Sequence, residues 1–309
     1  MSPVIDDSLA AAPARERDVP GASLTDLLLV TMSLIWGINY TVVKYGTSVI
    51  EPLAYNGVRV TMAAVALFAL VAYTRRPMPS RRDMFTLLAL GVLGNGIYQL
   101  FFIEGVSRTR AGDAALVLAA SPAFIAILGR MLGVERINQR GVVGIALSLL
   151  GMAFVVYGRE MASGAPGNPT LVGNLLVLAG SVAWSLYSVL LKPRADHLDI
   201  LTISAFTMAG GAIVMIIAGL PAITHTDWHT VSLSAWGAMT YSGICALVIA
   251  YYFWYRGVQV LGPTRTAMYS NLQPVIALAA AWMWLGEIPT PWQALGAGTI
   301  IAGVVLTRT

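Results

Sequence analysis

The sequence predicts an all-α integral membrane protein of ten transmembrane helices, arranged as two inverted five-helix repeats. Three observations carry that expectation. Only 11% of the 309 residues are charged while 57% are hydrophobic, and mean hydropathy is +0.72; a soluble domain carries about 25% charge. The apolar runs recur at bilayer length, about 20 residues each. The chain also repeats itself: residues 102–159 lie over those from 254 onward at a constant shift of 152, without a gap. That register sets Gly105 on Gly257, Pro122 on Pro274, Glu135 on Glu287, Gly144 on Gly296 and Gly151 on Gly303. Internal duplication on that scale governs every later assignment.

Taken in order, residues 1–22 are polar, rich in Ala and Pro, and read as a disordered cytoplasmic tail. The cluster from Ala10 to Ala14 precedes the first apolar run, the wrong order for a cleaved signal. Apolar segments follow at 24–45, 52–74, 84–104, 111–131, 140–158, 171–191, 199–219, 233–255, 264–285 and 291–307. Gly, Ser and Thr are scattered through each, as in membrane helices. Short connections carry Gly, Pro, Asn or Asp. With Lys44, Arg59, Arg108, Arg110 and Arg159 on one side, the other 14 of the 19 basic residues fall opposite. Basic residues favour the cytoplasm, so both ends of the chain are expected inside. The single Cys245 lies in an apolar run and excludes a disulfide framework.

Five is odd, so a second copy (171–308) must sit upside down relative to the first (24–158). The opening helix repeats too, at a shift of 148, placing Trp36 on Trp184 and Lys44 on Lys192. Inverted repeats mark secondary transporters, with a substrate site near midplane between the halves.

Trp-Gly-Ile-Asn-Tyr in the first helix and Ser-Pro or Gln-Pro in the fourth and ninth resemble the drug/metabolite transporter superfamily. Leu-Gly-Glu at Leu285 to Glu287, answered by Val134-Glu135 in the first copy, points to its ten-helix EamA branch. Gly133-Val134-Glu135 departs from that pattern. Within the branch the chain looks most like bacterial exporters of the YddG type, which handle aromatic and other amino acids. The resemblance implies a multi-pass protein of the bacterial inner membrane that moves its solute outward.

Helical spacing selects the candidate site. Trp36, Asn39 and Tyr40 share one face of the first helix, and Trp184, Tyr187 and Ser188 one face of the sixth. Trp36 stands about 18 Å into its span at 1.5 Å per residue, deeper than an interfacial belt. These rings read either as helix packing or as a pocket wall. The third helix offers Asn95, Tyr98 and Gln99, and its repeat partner Tyr251 and Trp254. Buried amides in lipid must find partners, in another helix or in a solute. Pro122 and Pro274 each remove a backbone donor, giving packing kinks or hinges beside Ser121, Asn271 and Gln273. Gly144, Ser148 and Gly151, and Gly296, Gly298, Ala302 and Gly303, suit close backbone approach between halves or between protomers.

Lys44 and Lys192, at the far ends of their helices, read as snorkelling residues or as a gate, and Arg59 is expected to snorkel outward. The pocket would then hold Trp, Tyr, Asn and Gln with no buried formal charge, suiting a neutral or zwitterionic solute. His225, Asp227 and His229 have no fourth partner for a metal, and no Gly-Lys-Ser/Thr loop suggests ATP. No cofactor, metal, nucleic acid or enzymatic role is expected. Partners reduce to a small-molecule substrate, membrane lipid and, at most, a weak homodimer. Efflux or uptake of drugs, nucleosides or vitamins is the alternative reading.

Overall fold

A computed structural model describes residues 22–133, 139–163, 169–195, 197–261, 266, 269, 270 and 272–308. The expected tail, Val134 and Glu135 of the first-copy motif and the candidate Asn271 lie outside them. The described residues form helices without a strand. In chain order they are α1 (Ala22–Val49) and α2 (Pro52–Tyr73). Next come α3, made of Arg81–Gly91, a π-helical stretch Val92–Ile97 and Tyr98–Arg108, and α4, made of Ala111–Leu118 and Ser121–Met131. Then follow α5 (Gln139–Ser163), α6 (Pro169–Ala195) and α7 (Ile200–His225). Leu233–Thr240, a second π stretch Tyr241–Ile249 and Ala250–Leu261 form α8. The series ends with α9 (Leu272–Leu285) and α10 (Pro291–Arg308).

Helix starts are written in side chains. Glu51 accepts from the Ala54 amide and is followed by Pro52, Ser80 accepts from Asp83, and Asp199 accepts from Leu201 and Thr202. At α10, Thr290 accepts from the Gln293 amide at 3.2 Å while Gln293 Oε1 accepts from the Thr290 amide at 2.8 Å. That reciprocal pair is a capping box. The seventh apolar segment reads as ending at 219; α7 instead runs through Pro221 to His225. A proline inside a long buried helix is tolerated where neighbouring groups re-satisfy the backbone.

Among the described residues, seven helical stretches are long and apolar enough to cross a membrane, and Val142–Val155 and Leu272–Leu285 are shorter apolar helices. The exterior is apolar: Leu27, Val65, Phe85, Ile217 and Met283 are each more than 60% exposed. Polar side chains go inward, with Asn56, Arg59, Asn95 and Gln99 at most 2% exposed. Such a distribution fits lipid as the surrounding solvent.

Helices pack in matched pairs. α2 lies along α7, α5 along α10, α1 against α9 and α8, and α6 against α4 and α3. The α5–α10 seam uses the small residues anticipated for close approach. A Cβ on Gly151 or on Gly296 would lie 2.8 Å from the other's carbonyl oxygen, and one on Gly303 would meet the Gly144 carbonyl at 2.5 Å. The stripe therefore joins α5 to α10 within one chain. Gly298 has nothing within 4 Å and takes no part.

Candidate functional site

A cavity of about 100 Å³ lies where α1–α4 meet α6, α8 and α9. It has room for several waters, each needing about 10–15 Å³ on this measure. Its wall includes Trp36, Asn39, Tyr40, Tyr98, Gln99, Ser121, Trp184, Tyr251, Trp254 and Gln273, with Pro122 beside Ser121. These come from six helices, and the fold brings them together.

Rings form a continuous cage. Trp36 and Trp184 both stand edge-on to Tyr251, at 5.6 and 5.7 Å between centroids. Each also leans on Trp254, at 5.9 and 6.5 Å. Trp184 continues to Tyr98 at 5.3 Å, and Tyr98 through Phe102 to Tyr40. Such pairs contribute about 0.5–1.5 kcal/mol each beyond area burial. The cage is pinned by Trp36 Nε1, which donates to the Ala246 carbonyl at 2.9 Å. Ala246 lies in the π stretch of α8, and π turns gather at functional sites. The π stretch of α3 ends at Ile97, 152 residues before that of α8 ends at Ile249.

α4 is interrupted beside the cavity. The turn at Ala119–Ala120 separates its two segments, and Pro122 sits in the first turn of the second. The expected proline kink is thus a full break. Ser121 donates to the Leu118 carbonyl at 2.6 Å, and its hydroxyl lies 2.8 Å from that of Ser181 on α6. Before α9, Ser270 is a turn residue that borders the cavity, and Gln273 follows it. Pro274 is buried in the first turn of the described α9.

Three candidates stand behind the wall. Asn95 is fully buried and accepts from Tyr251 Oη at 3.1 Å. Tyr187 bonds Tyr255 through the two hydroxyls at 2.5 Å, its ring lying against Gly94 where no Cβ would fit. Ser188 returns its hydroxyl to the Trp184 carbonyl of its own helix. Lys44 is half-buried and donates from Nζ to the Ser107 carbonyl at 2.8 Å, tying α1 to α3. Lys192, in the last turn of α6, borders no part of the cavity.

Arg59 corrects the sequence reading. It does not snorkel: it is fully buried and borders the cavity. Nε donates to Asn56 Oδ1 at 2.5 Å and Nη2 to Gln99 Oε1 at 2.7 Å, while Nη1 has no partner. The site therefore holds a formal positive charge. The physical reason is local: Asn56, one turn earlier, and Gln99 supply acceptors inside the bundle, so the side chain need not seek water. The overlooked signal was the Asn56–Arg59 pair on one face of an otherwise apolar helix, since an ionisable residue at membrane depth marks a site by default.

The EamA-like transporter model matches residues 23–157 and again 171–309. The chain belongs to the EamA-like transporter family. It is a multi-pass membrane transporter. Among its relatives, the uncharacterized transporter YyaM of Bacillus subtilis is 24% identical over 284 residues, covering 90% of this chain and 92% of that protein. A probable terminal-alkyne amino-acid exporter of Streptantibioticus cattleyicolor is 27% identical over 278 residues, 90% of this chain and 91% of its own. The uncharacterized inner membrane transporter YedA of Escherichia coli is 27% identical over 282 residues, with coverage of 90% and 88%. One crystal structure aligns with a TM-score of 0.64 at 21% identity, over 92% of this chain and 96% of that one, which shows a shared fold. For an EamA-like transporter, the residues missed at first are Arg59, the Ala246–Leu247 backbone of the π stretch, and the small apolar wall of Ala115, Leu118, Ala119 and Ile125. Apart from Arg59, nothing in their residue types announces them.

Proposed function

We propose that this EamA-like transporter carries amino acids, aromatic ones included, outward across a bacterial inner membrane by alternating access. Ten spans form two inverted halves, 24–158 and 171–308, with the start of α1 and the end of α10 in the cytoplasm. Two separate matches to one family model support the duplication, as do the recurring π stretches and the mirrored packing of α1 on α9 and α6 on α4. The excess of Lys and Arg in the connections assigned to the inside supports the orientation.

The single observation that carries the reading is the cavity between the halves, walled by stacked rings and amides. Trp36, Tyr40, Tyr98, Trp184, Tyr251 and Trp254 would cover an apolar body, and Asn39, Gln99, Ser121 and Gln273 would bond its polar end. Asn95, Tyr187 and Ser188 would brace that wall from behind. Pro122 and Pro274 mark where α4 and α9 would bend as the halves rock, and Lys44 and Lys192 would secure helix ends during the cycle. The amino-acid exporter among the relatives favours the same solute class. Counterflow of labelled L-phenylalanine and L-leucine into proteoliposomes, with and without a pH gradient, tests the reading. Uptake that other amino acids compete away is expected. Loading of neither label, with nucleosides or vitamins accumulating instead, would overturn it.

A further inference from the structure

We infer that Nη1 of Arg59 is the docking point for a carboxylate on the transported solute. The inference rests on the carrier reading but goes further, naming one residue and one obligatory group on the ligand. Two of the three guanidinium nitrogens are already held, Nε by Asn56 and Nη2 by Gln99. Both acceptors are neutral amide oxygens, which fix the plane of the group without neutralising it. The rings of Tyr55 and Phe102 lie 6.0 and 5.7 Å from the guanidinium carbon, close enough for cation–π attraction. No carboxylate pairs with Arg59 among the described residues; Glu104 and Glu287 are engaged by Arg108 and Arg110.

A purely structural tie between α2 and α3 needs no charge. A buried cation without a counter-ion is costly, and that cost is relieved when an anion arrives. Nη1, buried and unpartnered on a side chain that borders the cavity, is a preorganised donor for it, and charge-assisted bonds to carboxylate are the strong kind. One cation balances one negative charge, so a monoanionic carboxylate fits and a dianionic phosphate would leave the cavity net negative. Asn39 borders the same cavity, and its Oδ1, also buried and unpartnered, adds an acceptor suited to an ammonium. The site thus presents a donor and an acceptor complementary to the two ends of a zwitterion.

The test is equilibrium binding to the purified full-length protein, read by intrinsic tryptophan fluorescence, since Trp36, Trp184 and Trp254 border the cavity. Four probes share one ring: L-phenylalanine, 3-phenylpropionate, L-phenylalaninamide and phenethylamine. The two acids should bind on the order of 10- to 100-fold more tightly than the two molecules without a carboxylate. Arg59→Gln should erase that preference, and Arg59→Lys, which keeps the charge but loses the fork, should keep part of it. Should Arg59→Gln fail to fold, the wild-type panel decides alone. If the amide and amine bind as well as the acids, the carboxylate inference falls and the carrier reading stands. If 3-phenylpropionate binds through Arg59 while phenylalanine is neither bound nor carried, the amino-acid reading falls and the inference stands. Binding of none of the four overturns both.

Discussion

Gln293 donates from Nε2 to Asp113 Oδ1 at 2.7 Å, joining α10 to α4 through two buried side chains. The capping box at Thr290 holds Gln293 in place for that bond. Beside it, Arg110 lies 3.6 Å from Glu287 and donates to the Ile288 carbonyl at 2.6 Å. All these contacts lie at the helix ends where α3 and α9 finish, so they tie α4, α9 and α10 together at one face of the bundle. Opening that face must break them.

Gln293→Ala should therefore favour the state open at this face. A cysteine at Ala119, which borders the cavity, in a Cys245→Ser background would report it. Labelling by an impermeant maleimide added to intact cells should rise about tenfold, from the loss of a buried bond to a charged group. Glu287→Gln should raise it less, because partly exposed ion pairs contribute about 0–1 kcal/mol. Equal labelling in all three proteins would show that this contact set is no gate.

Trp184→Ala removes ring contacts to Tyr98, Tyr187, Tyr251 and Trp254 in one step. Flux of labelled phenylalanine should drop at least about tenfold, since each pair contributes about 0.5–1.5 kcal/mol, while the protein stays extractable in detergent. Trp36→Phe keeps a ring but loses the bond to the Ala246 carbonyl, and should fall between wild type and Trp184→Ala. Wild-type flux in Trp184→Ala would remove the ring from the binding surface.

Much of this was legible because membrane chains advertise their solvent. Apolar length marked the helices, and the 152-residue register tied Gln99 and Phe102 to Tyr251 and Trp254, all now found on one wall. What sequence spacing could not supply was depth along a side chain. Arg59 reads as a residue reaching for head groups until Gln99, forty positions later, is seen to hold it. Asn95 and Tyr187 share a helix face with true wall residues, yet the π stretch around Gly94 lets Tyr187 pass behind the wall. A π turn changes which face a residue presents, and 3.6-residue periodicity does not register it.

Gly94→Ala tests that last point. A methyl there would run into the Tyr187 ring, so either α6 shifts or the ring rotates toward the cavity. Affinity for phenylalanine should fall several-fold, with helix content by circular dichroism unchanged. Tyr187→Leu in the same chain, by removing the obstructing ring, should restore part of the loss. No rescue would mean that Gly94 matters for the backbone alone.

The α5–α10 seam separates stability from transport. Gly151→Ala sets a Cβ 2.8 Å from the Gly296 carbonyl oxygen and from the Ile300 amide. Both are backbone atoms that cannot swing aside, so the helices must part, at a cost of about 1–3 kcal/mol. Gly298→Ala on the same seam helix meets nothing within 4 Å and should leave stability within about 0.5 kcal/mol. Neither α5 nor α10 borders the cavity, so KM for phenylalanine should be unchanged in both variants. Thermal unfolding in detergent and counterflow on the folded fraction measure the two effects separately. A raised KM in Gly151→Ala would mean that the seam moves with the wall during transport, making it part of the rocking interface.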